Sequence, residues 1–158
     1  MNAILSQEEL IKIREQLAAQ NKKVVFTNGC FDIIHAGHID YLIKAKQLGD
    51  ILIVAVNSDE SVRRIKGEKR PILKQEERTF IISNLKPVDY VTVFEEDTPY
   101  EIIKKLVPDI LVKGADWSKD KIVGADIVEN NGGAVETIEF VNIQSTSNII
   151  NTILDRYK

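Results

Sequence analysis

Residues 23–56 read KVVFTNGCFDIIHAGHIDYLIKAKQLGDILIVAV, and this stretch decides the fold class. Lys23–Thr27 is a short β-branched run closed by Asn28-Gly29. Residues 37–48 have the pattern of a helix that stops at Gly49. Ile51–Val56 is a continuous apolar run, the mark of a strand buried on both faces. A strand, a helix and a buried strand in that order predict a βαβ unit, with parallel strands and a right-handed crossover.

The alternation continues outward. Residues 6–20 predict an amphipathic helix, with Ser6 as its cap, Glu8 and Glu9 at its positive end, and Leu10, Ile13 and Leu17 at helical spacing. Downstream, the pattern predicts a helix over 74–84, a strand at Tyr90–Phe94, and a helix opened by Thr98-Pro99 that runs to about Leu106. A strand at Ile110–Val112, a helix near 124–131 ended by Gly132-Gly133, a strand at Val135–Phe140 and a last helix over 146–156 complete the chain. The expectation is one doubly wound α/β domain over residues 1–158, with a five-stranded parallel sheet and helices on both faces. Residues 1–22 read as a helical lead-in and 23–158 as the core. Strand order does not follow from the pattern.

The length of 158 residues suits one domain with a real core. Lys+Arg number 21 against 24 Asp+Glu, a net −3 that argues against broad nucleic-acid binding but leaves room for a small basic pocket. A single cysteine, Cys30, excludes an intramolecular disulfide and a four-cysteine zinc site. No apolar run approaches the ~20 residues of a membrane span. The opening MNAILSQEELIKIREQL lacks the basic and apolar regions of a signal peptide, so a cytoplasmic protein is expected.

Ligands of open parallel sheets bind beyond the carboxyl ends of the strands. The residues there are Asn28–Asp32 with His35-Ala36-Gly37-His38, then Asn57-Ser58-Asp59, Lys113–Asp116, and Gln144–Ser147. Small, polar and basic groups converging from four strand ends suit an anionic ligand. Neither GxGxxG nor GxxxxGK[ST] occurs, which lowers the weight of a dinucleotide dehydrogenase and a P-loop kinase.

His35 and His38 are the only histidines. On the first turn of a helix, both rings could face a phosphate held by free N–H groups, with Gly37 allowing close approach of the backbone. They could equally be surface or structural, or share a metal with Cys30 or Asp32. The run Arg63–Pro71 reads as a mobile phosphate-binding loop or as solvated surface, and Arg78 shares that ambiguity. Lys113 follows a buried strand and reads as a site residue. Asp32 and Asp116 could orient hydroxyls, hold Mg²⁺ delivered with a nucleotide, or serve as turn residues. Ser145-Thr146-Ser147 could cap the last helix and bind phosphate with the same N–H groups. Cys30 reads as a small packing residue, and Trp117 as a pocket wall or plain surface.

FTNGCFDIIHAGHIDYLIKAKQLGD resembles the opening of the HxGH nucleotidyltransferases, the cytidylyltransferase-like superfamily. NSDESVRRIKGEKRP, EER at 76–78, FEEDTP, VKGADW and STS follow in the family's order. Together they resemble most closely the branch of adenylyltransferase domains that make ADP-heptose, across about residues 5–156. The resemblance implies a Rossmann-like fold, commonly a homodimer. It also implies attack of D-glycero-β-D-manno-heptose 1-phosphate on ATP, with Mg²⁺ on the nucleotide.

By position, His35 and His38 would contact the triphosphate, with Lys113 as a further catalytic group. Thr27, Asn28, Gly29, Phe31 and Gly37 would shape the nucleotide loop, and Gly114 and Asp116 would lie beside the nucleotide. Ser145, Thr146 and Ser147 would meet the β- and γ-phosphates. Asp32, Lys66, Arg70 and Arg78 would serve the phosphate or sugar phosphate. Ile143 and Gln144 stand where many relatives have glycine and a basic residue. Many relatives carry this domain behind a sugar kinase, and the resemblance implies that a separate kinase supplies the sugar 1-phosphate. A glycerol-3-phosphate cytidylyltransferase and a non-catalytic nucleotide-binding module are the competing readings.

Overall fold

Alternate residues of the central strands bury themselves against opposite layers of helices, as the period of two in a strand requires. A computed structural model describes residues 3–140 and 144–158. Its elements run β1 (Ala3–Ile4), α1 (Gln7–Ala19), β2 (Val24–Gly29), α2 (Ala36–Lys46), β3 (Ile51–Asn57), α3 (Asp59–Lys66), α4 (Gln75–Ser83), β4 (Tyr90–Phe94), α5 (Tyr100–Leu106), β5 (Ile110–Gly114), α6 (Ala125–Asn130), β6 (Ala134–Ile138) and α7 (Thr146–Arg156).

Val24 and Phe26 of β2, with Ile53 and Ala55 of β3, pack with Leu10 and Leu17 of α1, Ile102 and Ile103 of α5, and Val128 of α6. Val25, Leu52, Val54 and Val56 belong to the opposite layer, with Tyr41, Leu42 and Ala45 of α2 and Ile82 of α4. Each such aliphatic side chain contributes about 1.5–3 kcal/mol on burial. Ser6 caps α1 as expected: its Oγ accepts from the Glu9 N–H at 3.2 Å, and its own N–H donates to Glu9 at 2.8 Å.

All strand pairs are parallel, in the order β1-β4-β3-β2-β5-β6. The sheet therefore has six strands, not five. The added edge strand is two residues long and exists through its pairing with Tyr90 and Val91 of β4. The N-terminal segment thus joins the sheet, and Leu10 of α1 is wholly buried in the core.

Two local expectations are corrected. Arg63–Lys66 are not loop but the end of α3, and the chain turns only at Gly67, whose φ of 95° suits glycine. Ser58 caps that helix, Asp59 and Glu60 fill its first turn, and its basic residues fill the last, so the charges follow the helix dipole. Thr98 does not cap α5, which starts at Tyr100 after Pro99 with no side-chain cap.

Candidate active site

Strand order reverses where β2 is flanked by β3 on one side and β5 on the other. Such a switch point opens a crevice at the carboxyl ends of the strands. Asn28 and Gly29 end β2 there, and Lys113 and Gly114 end β5. A cavity of about 460 Å³ lies over this edge, lined by Asn28, His38, Lys66, Arg70, Lys113 and the Ser145-Thr146-Ser147 turn, among others. A side pocket of about 190 Å³ shares Asn28, His38 and Lys113 with it and adds Tyr41, Gly114, Asp116 and Phe140. Among the described residues the buried Oδ1 of Asn28 has no hydrogen-bond partner, an acceptor open to a ligand donor.

The β2–α2 turn shapes this cavity. Phe31 adopts φ 47°, a left-handed conformation rare for a bulky side chain, and its buried ring lies 5.4 Å from that of His38. His35 caps α2, its Nδ1 accepting the Gly37 N–H at 3.2 Å. A methyl group at Gly37 would crowd the His35 ring at 3.0 Å, so glycine leaves room for this cap. His38 Nδ1 accepts the His35 N–H at 3.4 Å. These bonds assign the proton of each neutral ring to Nε2, leaving an Nε2–H donor on each. Burial, together with the neighbouring His35, holds the His38 pKa down to about 4, and burial also lowers that of His35. Both rings are therefore neutral donors near pH 7. Of the two rings His38 lines the cavity, and their centroids lie 3.9 Å apart.

Lys113 is largely buried, which pulls its pKa down to about 8 against the opposing effect of Cys30 and Asp116. An ammonium held this dry gains strongly from an arriving anion. Cys30 lines the cavity with its thiol pKa raised by burial, in keeping with a packing role. In the side pocket, Tyr41 and Phe140 stack with centroids 5.4 Å apart, and a side chain at Gly114 would strike Phe140 and Asp116. Sequence reading missed Tyr41 and Phe140 as walls. Tyr41 follows His38 by three residues on α2 and so shares its face, a legible signal. Phe140 lies just past β6, the neighbour of β5, and carries no such helical spacing. Trp117 lines both cavities.

Three expected ligand residues face inward instead. Thr27 is wholly buried, its hydroxyl bonded to Tyr41 Oη at 2.7 Å and to the Val112 carbonyl at 3.1 Å. Arg78 is also wholly buried and donates to the carbonyls of Leu73 at 3.1 Å and Cys30 at 2.6 Å, and to Asp59 at 2.7 Å. It has no exposed edge for a phosphate. Asp32 borders the cavity, but its carboxylate is spent on the Arg70 side chain and on the backbone N–H groups of Ile72 and Leu73.

The first turn of α7 closes the site. Ser145 Oγ accepts the Asn148 N–H at 3.1 Å, the expected cap, and Thr146 Oγ1 reaches the Ile33 carbonyl at 3.5 Å. Backbone N–H groups of such a turn favour an anion. Gln144 is exposed and sets its carbonyl beside Gly37, whereas Ile143 lies outside the described residues. Among the described residues no group of three or more His, Cys, Asp and Glu could hold a metal ion, and no helix is long and apolar enough to cross a membrane.

The sequence model of the family described as Cytidylyltransferase-like matches residues 26–153. The chain is 51% identical over 154 residues to the bifunctional protein HldE of Pelobacter propionicus, covering 98% of this chain and 32% of that one. Against the bifunctional protein HldE of Campylobacter curvus it is 56% identical over 156 residues, covering 96% and 32%. The chain thus spans about a third of the length of these curated relatives. Among solved structures, a lipopolysaccharide core biosynthesis protein from Thermoplasma volcanium matches with TM-score 0.61 and 32% identity, over 78% of this chain and 99% of that one. A pantoate–β-alanine ligase from Francisella tularensis, solved with β-γ ATP and β-alanine, matches with TM-score 0.63 over 93% of this chain and 69% of that one. At 15% identity that likeness is one of fold.

Proposed function

The chain belongs to the cytidylyltransferase-like family, and we propose that it transfers AMP from ATP to D-glycero-β-D-manno-heptose 1-phosphate. One oxygen of the sugar phosphate attacks the α-phosphorus of ATP in line. The new O–P bond forms as the bond to the β-phosphate bridging oxygen breaks, and ADP-heptose and pyrophosphate leave. The observation that carries this reading is the meeting of a neutral histidine donor, His38, with Lys113, Arg70, Lys66 and the first turn of α7 on one cavity at the switch point. Such a cavity can hold two anions side by side and offset the charge that grows on the phosphates.

In this reading His38 and Lys113 meet the reacting phosphates, and Ser145, Thr146 and Ser147 hold the outer ones. His35 sets His38 through its backbone N–H, which His38 Nδ1 accepts. Asn28, Gly29, Phe31, Gly114 and Asp116 border the nucleotide, and Mg²⁺ enters as part of the ATP substrate. The heptose acceptor is supported by the likeness to HldE proteins and to a lipopolysaccharide core biosynthesis protein. A sugar kinase would supply that acceptor. We further propose a cytoplasmic homodimer, for which the exposed apolar side chains Ile39 and Ile43 on α2 and Ile153 and Leu154 on α7 offer a surface.

The test is pyrophosphate release with ATP and CTP crossed against β-heptose 1-phosphate and glycerol 3-phosphate. Turnover only with ATP and the heptose phosphate is expected. Turnover with CTP and glycerol 3-phosphate instead would make the protein a cytidylyltransferase. ATP binding without pyrophosphate release for any acceptor would make it a binding module.

A further inference from the structure

We infer that Asp32 is a positioning residue, which sets the guanidinium of Arg70 against a phosphate in the cavity and binds neither ligand nor metal itself. This rests on the reading of the cavity as a phosphate site.

A carboxylate offers about four lone-pair sites. At Asp32, Oδ2 accepts Arg70 Nε at 2.6 Å and the Ile72 N–H at 2.9 Å, and Oδ1 accepts the N–H groups of Ile72 and Leu73, both at 2.9 Å. Three donors of the strap Arg70–Leu73 thus hold the carboxylate, the Ile72 N–H being shared between its two oxygens. The Asp32 side chain is 1% exposed, so water does not compete for them. Buried and turned to the strap, the carboxylate presents no exposed edge to a sugar hydroxyl or a cation.

Arg70 presents the complementary picture. Its Nε is engaged by Asp32, and among the described residues its two terminal nitrogens carry no hydrogen bond. It lines the main cavity beside Lys66 and His38. A guanidinium fixed along one edge keeps its other donors aimed, which cuts the rotamer freedom lost on binding an anion. The strap is held from its other side by Arg78, which takes the carbonyls of Leu73 and Cys30 and so ties the strap to the turn that carries Asp32. Two buried groups of opposite charge thus fasten one cavity cation in place.

The test is a double-mutant cycle with Arg70→Ala and Asp32→Asn, read by calorimetric binding of inorganic tripolyphosphate and by the Michaelis constants for turnover. Each single variant should weaken tripolyphosphate binding by about tenfold, the worth of one charge-assisted hydrogen bond. The double variant should be no weaker than Arg70→Ala alone, because Asp32 acts through Arg70. Should Asp32→Asn fail to fold, Asp32→Glu keeps the charge but shifts it, and its smaller loss should vanish in the Arg70→Ala background.

Losses that multiply, or an Asp32→Asn protein that binds like wild type, would overturn the inference. So would a raised Mg²⁺ requirement in Asp32→Asn alone, which would make Asp32 a metal ligand. Wild-type protein that binds tripolyphosphate but turns over no acceptor would reject the proposed reaction and still let the cycle be read. Wild-type protein that binds no tripolyphosphate would reject both.

Discussion

His38 and His35 lie with ring centroids 3.9 Å apart, each ring accepts a backbone N–H through Nδ1, and of the two His38 lines the cavity. Their roles therefore differ. His38→Ala should lower turnover by ~10²–10³, the usual cost of one transition-state donor, and weaken ATP binding less. His35→Asn restores a capping acceptor, so its thermal stability should stay near wild type while turnover falls. Steady-state kinetics beside a melting curve checks both.

The depressed pKa of His38 also makes stability depend on pH. The unfolded chain takes up the proton near the ordinary 6.5, and the folded protein only near 4. The unfolded state binds more protons in that window, so stability falls as pH drops through it. Urea unfolding at several pH values should show this slope, and His38→Gln should flatten it.

Lys113 gives the opposite limb. Its ammonium in the free protein is lost above a pH of about 8, so kcat/KM for ATP should fall there. Lys113→Arg keeps its charge and should carry that limb to higher pH, while Lys113→Ala should raise the Michaelis constant of at least one substrate. Because the unfolded lysine titrates near 10.5, folding stability should rise between pH 8 and 10.5 in the wild type alone.

Gly114→Ala should push a methyl group into Phe140 and Asp116. We expect a loss of about 1–3 kcal/mol by overpacking, with a higher Michaelis constant for the nucleotide than for the acceptor. Equal constants for both would separate the side pocket from the nucleotide.

Arg78→Met should cost about 3 kcal/mol or more, since it strips a buried partner from Asp59 and two carbonyls. Denaturant unfolding reads this directly.

Much of this was legible in the sequence because it is local. ILIVAV bears the mark of a strand buried on both faces, and the residues after β2, β5 and before α7 lie at strand ends in any parallel sheet. The rest depends on distant partners. Ala3–Ile4 is a strand only because β4 lies beside it. The helix α3 hid inside a charge run, although its acidic start and basic end obey the dipole. Arg78 and Asp32 looked like ligand groups because their charge is visible in sequence, whereas their burial against Asp59 and the 70–73 strap is not. The strand order, which makes the β2–β5 edge the site, follows from no local pattern.

The most direct measurement follows the oxygens. Heptose 1-phosphate carrying heavy oxygen in the terminal positions of its phosphate is turned over with unlabelled ATP, and the products are weighed by mass spectrometry. Direct attack on the α-phosphorus predicts all of the label in ADP-heptose and unlabelled pyrophosphate. Label in the pyrophosphate, or the absence of a nucleotide sugar, would contradict it.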